Sequence, residues 1–123
     1  MMCPPSLDRS VKERAFCAPN GELGIHIGDA DRFLAACRND GVEVLGWELW
    51  VVDHAWGDEF DGPVSAPGSW CGGIPTRNEN LPVVFSFGGD ADDAERQLAS
   101  IDLNAEVLPE WLPHIRINFT LAE

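Results

Sequence analysis

At 123 residues the chain can build one hydrophobic core but not two. Its hydrophobic fraction of 45%, with five Trp and six Phe, excludes wholesale disorder, because that much apolar surface gains from burial. Twenty-one Asp and Glu against eight Lys and Arg give a formal charge of −13, which repels phosphate, argues against nucleic-acid binding and attracts basic protein.

The N-terminal stretch is the exception to that charge. Residues 1–20 hold Arg9, Lys12 and Arg14 against Asp8 and Glu13, whereas everything after them holds five arginines against 19 acids. Pro4, Pro5, Asp8 and Arg9 interrupt any apolar leader, and no later run is long enough to span a bilayer. The expectation is a cytoplasmic protein with no membrane association. Its four cysteines, at scattered spacings without a C-x-x-C, are expected to be reduced thiols. Residues 1–21 read as a partly ordered arm, with a short helix possible over 6–16, and residues 22–123 as a single α+β domain.

From Glu22 the pattern sharpens. Leu23, Ile25 and Ile27 alternate with Gly24, His26 and Gly28, which is the period of a half-buried strand. A helix follows, with Asp29 expected as its N-cap, an inward stripe of Ala30, Phe33, Leu34 and Cys37, and Gly41 at its C-terminal end. Val42 to Val52 reads as a long strand, with Leu45, Trp47, Leu49 and Val51 on one face and Val44, Glu48, Trp50 and Val52 on the other. Residues 53–81, rich in Gly and Pro, read as a long loop. Pro82 to Phe87 reads as a third strand with Val83, Phe85 and Phe87 on one face. Asp90 is expected to cap a second helix whose stripe is Ala91, Ala94, Leu98 and Ile101, with Asp92 and Asp93 suited to its first turn. Pro109 and Pro113 keep the next segment out of a sheet interior. Ile115, Ile117, Phe119 and Leu121 then alternate through a last strand.

Two pieces, GIHIGDADRFLAAC and FSFGGDADDAERQLA, share one plan of strand, glycine, Asp-Ala-Asp and helix, and each leads to a further strand. The chain therefore predicts a ferredoxin-like βαββαβ frame: a four-stranded antiparallel sheet with two helices on one face. Another α+β arrangement is the competing expectation.

On such a frame the open sheet face carries His26, Glu48, Ser86, Arg116, Asn118 and Thr120. His26, Glu48 and Arg116 make an alternative pocket for a small molecule or for acid–base chemistry, provided that they converge; a plain solvated face is the other reading. No catalytic motif is present, since Ser86 lacks a G-x-S-x-G elbow and the glycines form no phosphate-binding loop. No cofactor and no metal are expected: His26, His54 and His114 are isolated, and Asp53 to Asp61 lacks the regular D-x-D-x-D-G order. The stronger partner-binding candidate is the loop itself, where Asp53, Asp58, Glu59 and Asp61 accompany Trp56 and Trp70. Aromatic side chains anchor interfaces and acids steer basic partners. Alternatively, those tryptophans fold back as a second small core.

The segment Gly41-Val42-Glu43-Val44-Leu45-Gly46-Trp47-Glu48-Leu49 resembles the strand entry of some immunity families in bacterial toxin–immunity systems. The resemblance implies a non-catalytic inhibitor that blocks a toxin domain. The D-x-D-x-F-L helix from Asp29 to Leu34 before Gly41-Val42-Glu43-Val44 is similar to the glyoxalase/bleomycin-resistance superfamily, which builds metal sites from His and Glu. The second half here has no matching ligand. The expectation is thus a binding or inhibitor protein that neutralises a basic partner through the acidic loop and open sheet face. The alternatives are a small-molecule-binding or enzymatic domain, and a homodimer that buries Trp50 and Val52 between copies.

Overall fold

A computed structural model of the chain describes residues 3–18, 21–52, 70–71, 73–74, 76–77 and 83–123. The order is α1 (Arg9–Arg14), β1 (Phe16–Cys17), β2 (Leu23–His26), α2 (Ala30–Asp40), β3 (Val44–Val52), β4 (Trp70–Cys71), β5 (Gly73–Ile74), β6 (Val83–Val84), β7 (Ser86–Gly88), α3 (Ala91–Ser100), α4 (Leu103–Glu106) and β8 (Ile115–Leu121). A mixed α+β fold with an antiparallel sheet is what the alternation and capping signals require.

The sheet runs β1-β2-β8-β3-β4, with β7 on the same edge of β3 as β4. It is therefore wider than the expected four strands. A ferredoxin-like sheet places the first and third of its four strands at the centre; here β8 and β3, the strands that follow the two long helices, take that place. β8 pairs with β2 through Ile25↔Ile117 and with β3 over most of its length. The expected third strand is also divided: β6 joins β5 in a separate two-stranded ribbon, whereas β7 pairs with β3 and the Phe85 carbonyl just before it accepts from the Leu49 N–H at 3.0 Å. No helix among the described residues is long and apolar enough to cross a membrane.

The core lies between the sheet and α2/α3. Ala30, Phe33, Leu34 and Cys37 of α2 are buried as their spacing predicts, against Ile25, Trp47, Leu49, Ile117 and Phe119. Phe33 stacks on Phe119 with centroids 4.9 Å apart. Burial pushes the Cys37 thiol up to about 11, so it behaves as a small apolar group. α2 ends at Gly41 in the left-handed region, whose N–H reaches the carbonyls of Cys37 and Arg38. The N-terminal stretch belongs to this core too, through Leu7 and Val11, and Phe16 pairs with Gly24.

One face assignment changes. The register passes from Val44↔Leu121 to Gly46↔Thr120, leaving Leu45 as the extra residue of a β-bulge. Val44 is thereby turned into the core, and Leu45 is turned out with 47% of its surface exposed.

The aspartate caps divide as well. Asp90 caps α3 in a reciprocal capping box with Asp93. Asp29 makes no side-chain cap bond, because a 3-10 turn over Ile27–Asp29 already leads into α2. Its carboxylate, 4% exposed as a residue, instead accepts two bonds from Arg14 at 2.7 and 2.8 Å, tying α1 to α2. The hydrogen bonds from Arg14 hold the Asp29 carboxyl below its ordinary value against the opposing effect of burial. A carboxyl so lowered contributes stability that is present above the unfolded value, near pH 4, and is lost as pH falls through the folded one. Asp29→Asn is expected to cost about 2 kcal/mol at pH 7, by leaving a buried site half-satisfied. Urea unfolding at several pH values should show a shallower loss between neutral and acidic pH in the variant than in the wild type. Parallel curves would contradict the assignment.

Candidate functional site

The outward face of the sheet is where His26, Glu48 and Arg116 come nearest to one another. His26 is opposite Arg116, Arg116 is opposite Trp50, and Glu48 lies between Asn118 and Ser86 in the register. Proximity has not left these groups poised for a ligand. The His26 Nδ1 accepts from the Gly28 N–H at 3.1 Å, which directs its other ring nitrogen elsewhere. Glu48 Oε1 accepts from the Trp50 indole N–H at 2.9 Å. Arg116 donates to the carbonyls of Pro113 and Ile115, and buried Asn118 donates to Leu23 O. The cavity of about 310 Å³ that Glu48 lines with Ser86, Gly88 and Thr120 contains neither His26 nor Arg116.

That face is also less open than alternation alone implies. Trp50 is 2% exposed, and Val52 and Ala18 are buried with it in a second small cluster that Phe16 packs against. Phe16 meets the Trp50 ring edge-on at 6.4 Å. A Cβ on Gly24 would lie 3.0 Å from both Trp50 Cε3 and Arg116 Cβ, so the indole occupies the space that a side chain there would need. Trp50 and Val52, expected as the buried surface between two copies, are thus covered within one chain. Of the loop candidates, Trp70 pairs with Val52 through its backbone at β4. Asp53, Trp56, Asp58, Glu59 and Asp61 lie outside the described residues.

A second concavity is on the helix side, and sequence reasoning did not find it. A cleft of about 520 Å³ opens between the start of α2, the end of α3 and α4. Its apolar wall includes Ile27, Trp47, Leu49, Leu98, Ile101 and Leu103, and Ala30 and Ala99 keep it open. Every charged residue lining it is acidic: Asp31, Glu95 and Asp102. Glu95 is bridged by Arg38 at 3.2 Å, and Asp102 also caps α4 through the Ala105 N–H. Asp31 and Asp102 have no cationic partner among the described residues. Asp31 is more than sixty positions from Glu95 and Asp102, and α4 is too short to show a helical period, so the fold brings Asp31 to the other two.

Among the described residues no group of three His, Cys, Asp or Glu side chains converges as a metal site. Comparison with protein-family models, with curated proteins and with solved structures gives no match for this chain.

Proposed function

We propose that the chain is a non-catalytic binding protein of the immunity type, which neutralises a basic protein partner. The observation that carries this reading is how the described arginines are used. Arg14 is held by Asp29, Arg38 by Asp92 and Glu95, Arg96 by Asp93 and Arg9 by Glu13, while Arg77 and Arg116 donate to backbone carbonyls. Asp31, Glu43 and Glu106, by contrast, are exposed without a cationic partner among the described residues. Arginines paired within the chain and carboxylates left without a cation give a field that draws a basic surface inward. The acids and tryptophans of residues 53–70 offer the same chemistry in the sequence.

The test is kinetic. A basic partner co-purified with the chain from its native source should associate at a rate that falls at least about tenfold between roughly 50 and 500 mM salt. Trp56→Ala, or Asp58, Glu59 and Asp61 changed together to Asn, should weaken the complex while leaving the circular dichroism unchanged. A salt-independent rate removes electrostatic steering, and unchanged affinity in those variants removes the loop.

A further inference from the structure

We propose that the cleft between α2, α3 and α4 is a docking groove for an amphipathic basic helix of a partner protein; this rests on the reading of the chain as an acidic binding protein and names its contact surface. The volume of about 520 Å³ falls within the range of roughly 300–1,000 Å³ typical of ligand sites, enough for several side chains at once. The floor is apolar, through Leu49, Leu98, Ile101 and Leu103, and gains from covering by apolar groups.

Charge then selects the occupant. Asp31 lies on α2, Glu95 on α3 and Asp102 at the N-cap of α4, and no Lys, Arg or His lines the cleft. An acidic peptide, a phosphate or an anionic lipid surface would be repelled. A small ligand with one positive charge would leave most of the rim unanswered. A helix that presents an apolar stripe flanked by Lys or Arg answers both features together, with anchors three and four residues apart entering the floor and cations meeting the rim. Arg38 already neutralises part of Glu95, so Asp31 and Asp102 carry most of the selection.

The probe is a fluorescently labelled synthetic Leu/Arg peptide of about 18 residues with one apolar stripe, compared by anisotropy with an isomer of the same composition scrambled to remove the stripe. Wild type should prefer the amphipathic peptide at least about tenfold. Ala99→Arg places a guanidinium in the cleft from an exposed helical position that tolerates it, and Asp31→Asn removes one rim charge. The first should abolish the preference, and the second should reduce it about twofold or more. Glu110→Gln, which changes net charge by the same amount outside the cleft, should preserve it. Equal affinity for the two peptides, or variants indistinguishable from Glu110→Gln, would overturn the groove while leaving the charge-based reading standing. Failure of both peptides to bind at low salt would overturn both.

Discussion

Replacing Trp47 with alanine is expected to lower the unfolding free energy by about 3–5 kcal/mol, the largest effect of any single substitution considered. The ring is 2% exposed and joins three parts of the molecule. It stacks on Phe87 of β7 with centroids 4.7 Å apart, its indole N–H donates to Gln97 of α3 at 2.8 Å, and it walls the helix-side cleft. Truncation leaves a void beneath α3 and an amide without its donor, so transfer, cavity and hydrogen-bond costs accumulate. Domains of this size have about 5–15 kcal/mol in total, which places the variant near the edge of folding. Urea titration should show a lower midpoint with an unchanged slope. Trp47→Phe, which keeps most of the packing but loses the bond to Gln97, should cost about half as much. A loss below about 1 kcal/mol for alanine would mean that the surroundings collapse to fill the site.

Gly46→Ala is expected to cost about 3 kcal/mol and to act on one edge of the sheet. A Cβ at this position would sit 2.6 Å from the Phe87 carbonyl oxygen and 3.3 Å from Gly88 Cα. Both are backbone atoms, held by the pairing of Gly46 with Gly88 and Trp47 with Phe87. No rotamer change relieves the contact; β7 has to move away from β3. Amide exchange should therefore speed up at Ser86–Gly88 and at the Gly89 N–H, which bonds to Leu45 O at 3.0 Å. Gly88→Ala is the internal control, because a Cβ there meets nothing within 4 Å. Its stability should stay within about 0.5 kcal/mol of wild type. If the two alanine variants behave alike, helix and strand propensity, not the close approach, governs this edge.

These positions also mark how far the sequence alone could be read. The stripe of α2, the alternation of β8 and the capping of α3 were legible because each is set by residues within a few positions of one another. Leu45 was not. A bulge is one residue of slippage against a distant strand, and nothing within Val42 to Val52 signals where Leu121 will fall. The two Gly-Asp-Ala-Asp segments make the same point: Asp90 finds Asp93 three residues on, whereas Asp29 finds Arg14 from another helix. Identical tetrapeptides take different roles because one partner is local and the other is not. The covering of Trp50 within one chain was not legible for a similar reason, since it depends on Phe16 and Ala18 arriving from the N-terminal stretch. The acidic cleft depends on α4, whose single turn has too few residues to announce a helix.

The position of β8 bears on the order in which the molecule can be assembled. This strand, Ile115–Leu121, separates β2 from β3, and both must wait for it. A ribosome making the chain delivers the two flanking strands long before the strand that joins them, so their hydrogen-bonding edges stay open through the synthesis of some sixty intervening residues, counted from Val52 to Ile115. Sheet closure is then a late, long-range event with a high loop-closure cost, and the nascent intermediates are those most prone to pair with the wrong edge. For a chain with so many carboxylates, mutual repulsion between unfinished copies becomes a safeguard during that interval.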